Sequence, residues 1–323
     1  MKDKRAEPVT IEKVTIFNTI QKEAHRYGGH AWHGIKDACA IPPTLIIIYG
    51  SNTIQTRALK CFLLNGLIFL GSLTFFEYVV IPMIYFVFGN TLMMDSSGDA
   101  TPLASTMKFL TKTIYHLFWV YPIYCISFVL NSTWYQEIAD RAYRLQVGKP
   151  ETVEKSYDSV LNGMVEVIYE AFLILNYLIF ASLVHAVPLM GPLVSFIYLC
   201  WLNAYYSFEY KWINKGWSLD QRLSYFEEHW AYFAGFGFPG TVCSFFFPSF
   251  INVGVFALLF PLFIIMANRA VPMPHRPSQT RTRTKPSILE KLPIFHLAKK
   301  ANLFWIRKLN NTRKAGRMKA KSK

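Results

Sequence analysis

Ionisable side chains set inside apolar runs are the residues of this chain best placed to do chemistry, and they are few. Glu77 interrupts the run Cys61–Phe88. A carboxylate at bilayer depth costs about 3 kcal/mol on insertion scales, so it either faces protein or water or sits close to an interface. Both readings stay open for Glu77, because Pro82 follows closely and can mark the far edge of the bilayer. Glu166 and Glu170 lie one helical turn apart just before a second apolar run. They are either intramembrane polar groups or the acids that the macrodipole favours at a helix start. His25, His30 and His33 cluster, but no nearby cysteine or carboxylate completes a zinc set. The five cysteines are odd in number and mostly sit in apolar runs, where a thiol packs as a small hydrophobe. Gly235, Gly237 and Gly240 lie in an aromatic stretch, where small residues let helices approach closely. The chain has no Gly-x-Ser-x-Gly, no His-Glu-x-x-His and no Cys-x-x-Cys. The expectation is a non-enzyme with no cofactor and no metal.

The elements that would position these groups are set by a bilayer. Ala231 to Asn268 is 38 residues without a charged side chain, and so is Ala171 to Phe208. Thirty-eight residues make roughly 57 Å of helix, about two crossings of a hydrocarbon core about 30 Å thick. Pro239-Gly240 and Pro248 can break the later run, and Val187–Pro192 the earlier one. The expected fold is therefore an all-α membrane protein of about six membrane-embedded helices, including two helical hairpins, with amphipathic interfacial helices beside them. Composition agrees: 52% of residues are hydrophobic and 17% charged, against about 25% charged in soluble domains.

Charge divides the chain into three regions. Residues 1–60 form an interfacial, amphipathic N-terminal region, with Ile11, Val14, Phe17, Ile20, Ala24 and Tyr27 on one stripe and Gly28-Gly29 expected to end the helix. Residues 61–268 form the membrane domain. Residues 269–323 carry 16 Lys/Arg against one acid and are expected to be a mostly disordered tail drawn to anionic lipid. Cys61–Phe88 and Thr113–Leu130 are the first two spans, the latter expected to kink at Pro122. Thr133 and Gln136 have capping-box spacing, so a separate helix over 131–147 is expected, with Glu137–Arg141 and Asp140–Arg144 pairs and a stop at Gly148. Segments bearing Lys/Arg (the N-terminus, 131–160, 209–229 and the tail) alternate with segments lacking them (89–107, 187–192 and 239–250). The positive-inside rule then puts both termini in the cytosol and leaves the Asn131-Ser132-Thr133 glycosylation pattern unmodified. Lys319 and Lys321, fifth and third from the end, have the spacing of a dilysine retrieval signal read by coat proteins. Nothing beyond charge suggests a nucleic-acid partner.

The ordered motifs Phe208–Trp217, Gln221-Arg222-Leu223, Trp230, Phe236-Gly237-Phe238-Pro239 and Leu258–Asn268 resemble the etoposide-induced protein family. The likeness extends through Trp119–Tyr124, Asn131–Ala142, Gly148-Lys149-Pro150 and, more weakly, Gly34-Ile35-Lys36-Asp37. It implies a multi-pass endoplasmic-reticulum protein required for autophagosomes to mature and for autophagic cargo to be degraded. It also implies links to growth suppression and apoptosis, and importin-β and Bcl-2 as partners. A distant similarity to the bacterial sulfate permease CysZ supplies the alternative, an anion channel or transporter, and a membrane-shaping N-terminal helix is a third reading. On the first reading the partner contacts are Trp134, Gln136, Asp140, Glu209, Tyr210, Trp212, Asn214, Lys215, Arg222 and Trp230.

Overall fold

The computed structural model describes residues 8–88, 102–151, 157–247, 249–273 and 290–321, and every long regular element among them is a helix. Helix α1 (Pro8–Ala38) is followed by the short α2 (Ile41–Tyr49), whose Pro42 and Pro43 sit in the first turn, where a missing N–H costs nothing. α3 (Asn52–Phe62), α4 (Gly71–Phe75) and α5 (Ile81–Phe88) run on from one another through wide turns at Leu63–Leu70 and Phe76–Val80. α6 (Pro102–Tyr115) and α7 (Tyr121–Gln146) are likewise joined at His116–Val120. Then come α8 (Tyr157–His185), α9 (Gly191–Asn214), α10 (Leu219–Glu228), α11 (Trp230–Phe245), α12 (Ser249–Arg269) and α13 (His296–Lys321).

Two expected breaks are absent. Pro122, where a kink was expected, sits in the first turn of α7 directly after the wide turn at His116–Val120. The Thr133–Gln136 capping box does not form. Thr133 donates back to the Val129 carbonyl, Gln136 donates to Asp140 at 2.7 Å, and α7 continues through both. Its end at Gly148, where φ is +133°, is as expected. Gly28-Gly29 also passes inside α1.

The helices make two compact units that interleave in sequence. Met1–Cys39, Pro150–Pro239 and Ala270–Lys323 form one; Ala40–Lys149 and Gly240–Arg269 form the other. In the second unit, α12 packs on α7, α3 and the Leu63–Leu70 turn. The Asn65 and Asn131 amides exchange hydrogen bonds of 2.9 and 2.8 Å, which closes α7 on the wide turn and leaves the Asn131 amide buried and occupied. Arg57 pairs with Glu137 at 2.5 Å, and Arg141 donates to Ser51, so these two side chains of α7 also bond outside their own helix. Residues such as Leu67, Tyr78, Phe118 and Phe128 face outward, as lipid requires.

Four continuous helical stretches are long and apolar enough to cross a membrane: Asn52–Ile84, Phe109–Gln146, Val165–His185 and Phe250–Arg269. The expected six also count the stretches now seen as α9 and α11. α8 and α9 pack together across a turn at 186–190, where the earlier run was expected to break. The later run divides unequally. Its break falls at Phe246-Phe247, Pro239 lies inside α11, and that helix, at 16 residues, is about 24 Å long, short of a crossing.

In the first unit α1 and α11 cross with their backbones nearly touching. A Cβ at Gly34 would run into the Tyr232 carbonyl, and one at Gly235 into the Ala31 carbonyl. Gly28, in contrast, has open space where a Cβ would stand. The same substitution in one helix should therefore change stability in opposite directions. Gly28→Ala is expected to stabilise by about 0.5–1 kcal/mol through helix propensity. Gly34→Ala is expected to destabilise by about 1–3 kcal/mol through overpacking. Thermal unfolding of the detergent-solubilised protein reads both signs.

Candidate functional site

The first unit buries one cation among three acids. Arg222, on the inner face of α10, is 4% exposed. α10 starts with a capping box in which the Ser218 N–H donates to Gln221 at 3.0 Å and the Ser218 side chain accepts from the Gln221 backbone. This start also orients Leu219, whose N–H donates to Glu166 at 2.6 Å. The Arg222 fork then reaches α8, donating to Glu166 at 2.9 Å and to both oxygens of Glu170 at 3.1 Å. Glu209 of α9 completes the ring, 3.7 Å from the same guanidinium. Tyr205, one turn before Glu209, donates to Glu170 at 2.5 Å.

A planar guanidinium suits this task because its donors diverge in one plane and can serve several carboxylates. One positive charge cannot neutralise three negative ones in a dry setting. Burial first, and the Glu170 carboxylate second, raise the Glu209 carboxyl above its ordinary value of 4.5. The cluster thus favours holding a proton on Glu209. Nearby, the buried Lys211 donates to the Ala270 carbonyl at 2.6 Å, and burial lowers its amine to about 7.

Aromatic packing holds the cluster in place. Phe226 stacks on Phe233 with centroids 4.3 Å apart, and Trp212 packs edge-on against both. The Trp230 carbonyl accepts from the Trp201 indole at 2.9 Å, and its ring lies 5.0 Å from Tyr27.

The structure gathers Glu166, Glu170, Glu209 and Arg222 into this one site. Trp212 and Asn214 are buried in the same unit. Tyr210 and Lys215 are half-buried, the latter's ammonium 5.2 Å from the Trp217 ring. Trp134, Gln136 and Asp140 belong to the other unit, with the Lys60 ammonium 6.0 Å from the Trp134 ring. Glu77 pairs with Lys112 at 3.1 Å, both within candidate spans. Lys319 and Lys321 lie in the last turn of α13, and the two residues that complete the dilysine pattern's setting, 322 and 323, lie outside the described residues. Ile11, Val14 and Phe17 have side chains outside them too. Among the described residues, no three His, Cys, Asp or Glu side chains converge as a metal site.

Sequence reasoning missed Tyr205, Lys211 and the Asn65–Asn131 pair. Two signals for the first were present: Tyr205/Glu209 and Glu166/Glu170 share i,i+4 spacing, and Ser218-Leu-Asp-Gln221 is a capping box.

Comparison with known proteins identifies the lineage. Residues 47–261 match the family described as sulfate transporter CysZ/etoposide-induced protein 2.4. The chain belongs to this family. Protein EI24 homolog of Arabidopsis thaliana is 31% identical across 82% of this chain and 90% of its own length. Its namesake in Dictyostelium discoideum is 33% identical across 82% and 80%. Ectopic P granules protein 4 of Caenorhabditis elegans is 32% identical over 45% of this chain and 46% of its own. No solved structure matches. The Arg222 cluster and both sequence-derived contact regions fall inside the matched range of this EI24 family.

Two predictions follow from the cluster's charge balance. Arg222→Met strands buried carboxylates and is expected to cost about 3–5 kcal/mol, with Arg222→Met/Glu170→Gln recovering part of the loss in thermal unfolding. Glu209 has a folded-state value raised above its unfolded one. Its contribution is therefore full below about 4.5 and is lost as pH rises through the raised value. Glu209→Gln should accordingly leave the melting temperature near wild type at acid pH and raise it relative to wild type at alkaline pH. Parallel melting curves across that window would remove Glu209 as the proton-holding group.

Proposed function

We propose that this chain acts in autophagy as a multi-pass protein of the endoplasmic-reticulum membrane, with both termini cytosolic, organising partners or membrane contacts without catalysis. Membership of the EI24 family over two thirds of the chain carries this reading. The built interior supports it: the polar groups best placed for chemistry are tied to one another across α8, α9 and α10. The faces left for partners are the exposed ones of the two candidate regions. They offer Arg141 and Arg144 in α7, and Asp220, Gln221 and Glu228 in α10. Autophagy machinery is the partner class; importin-β, Bcl-2 and, through Lys319 and Lys321, coat proteins are the individual candidates.

The family description also favours a second reading, transport of a sulfate-like anion. An anion pathway wants cations held ready for it. The spans instead pair Arg57 with Glu137 and Lys112 with Glu77, which weighs toward the organising role.

Cells lacking the protein test the first reading. Re-expressed wild type should restore turnover of autophagic cargo, while Asp220→Lys/Glu228→Lys should reach the endoplasmic reticulum and fail to restore it. Glu228 pairs with Lys291 at 3.8 Å and Asp220 lies in the first turn of α10, so thermal unfolding of the variant certifies its fold. Cargo turnover indifferent to the presence of the protein sinks the autophagy reading; saturable sulfate uptake into liposomes holding the purified protein would replace it with transport.

A further inference from the structure

Helix α13 was expected to be part of a disordered tail, yet it is folded onto a membrane span. Phe295 and Ala298 are buried, and the buried Asn302 accepts from Asn176 at 2.7 Å and donates to the Tyr169 carbonyl at 3.1 Å. Tyr169 and Asn176 both belong to the candidate span Val165–His185. That docking ties α13 to the side of α8. The helix is therefore held beside the bilayer and not out in solution.

Its free side has the pattern of an interfacial helix. Leu297, Ala301, Phe304 and Trp305 follow i, i+4, i+7, i+8 spacing, and Leu303 and Ile306 beside them are exposed as well. Leu297, Phe304 and Trp305 remain 51%, 59% and 49% exposed. Lys300 and Arg307 flank the stripe, Lys308 continues it with its ammonium 5.5 Å from the Trp305 ring, and residues 296–321 contain no acid at all. Long cationic side chains can lay their stems along apolar surface while their heads meet phosphate.

We infer that α13 is an anionic-lipid-binding helix, whose Leu297–Trp305 stripe enters the headgroup layer while Lys300, Arg307 and Lys308 contact lipid phosphate. Charge complementarity and attachment to a span single out the protein's own membrane as the occupant, because the helix cannot leave it. The site is independent of the autophagy reading: it requires the bilayer, not a partner.

The full chain in nanodiscs tests this through hydrogen exchange of the backbone amides of residues 299–308. Nanodiscs of phosphatidylcholine alone are compared with nanodiscs in which about one third is phosphatidylserine. Exchange should be about tenfold slower with the anionic lipid. Phe304→Ser/Trp305→Ser and Lys300→Gln/Arg307→Gln should each abolish that difference while α8 keeps its protection, which certifies the fold. Equal exchange in both lipids, or a difference that survives either variant, overturns the assignment. Protection by added polyglutamate in neutral nanodiscs, matching that from anionic lipid, also overturns it and makes the stripe a surface for acidic protein.

Discussion

The fold of the first unit turns on one buried guanidinium. Stripping Arg222 of water is tolerable only because carboxylates from α8 and α9 replace the lost hydration with charged hydrogen bonds. Those bonds cannot form unless α10 starts where it does, and the Ser218 capping box sets that start. The arrangement is cooperative: removing the cation leaves three acids repelling one another. Glu209 absorbs the mismatch by favouring its protonated form, so the surplus of acids does not force the helices apart.

The second unit solves a different problem. Its helices expose apolar side chains outward and keep amides and hydroxyls at their contacts, the reverse of a soluble core. Hydrophobic burial cannot distinguish one packing from another when the surroundings are as apolar as the interior. Directional bonds therefore set the register. The Asn65–Asn131 exchange and the Tyr135 hydroxyl donating to the Ala257 carbonyl at 2.7 Å do this work, helped by Gly66 and Gly254, where leucine side chains of facing segments come close.

This contrast explains what the sequence could disclose. Charge-free runs announce a bilayer regardless of topology, so the all-α membrane class was legible from Ala171–Phe208 and Ala231–Asn268 alone. Local chemistry was legible only where nothing tertiary overrode it. Gly148 stopped α7 as its left-handed φ requires, but Thr133–Gln136 lost to the continuation of a helix already packed on α3 and α12. Gly28-Gly29 lost for a similar reason, since the α1 turns beyond it are clamped to α11 at Gly34. For the site, each member could be named from sequence, but their convergence depends on which helices meet. Spacing within α8 and α9 put Glu166/Glu170 and Tyr205/Glu209 on single faces; nothing local said that the two faces share one arginine.

The family match begins after α1 and ends before α13, although relatives align beyond those limits. Both outlying helices close the first unit and are not loose appendages. α1 seals α11 through the Gly34–Gly235 crossing, and Tyr232 donates to Asp37 at 2.5 Å just beyond it. The approach to α13 seals the other side: Phe295 sits within 5.4–5.6 Å of the rings of Tyr177, Tyr205 and Phe226, and its N–H donates to the buried Glu227 at 3.3 Å. Tyr205 is the same residue that donates to Glu170. The segment leading into the lipid-facing helix therefore presses on a member of the Arg222 cluster, so whatever holds α13 at the membrane also helps keep that cluster dry.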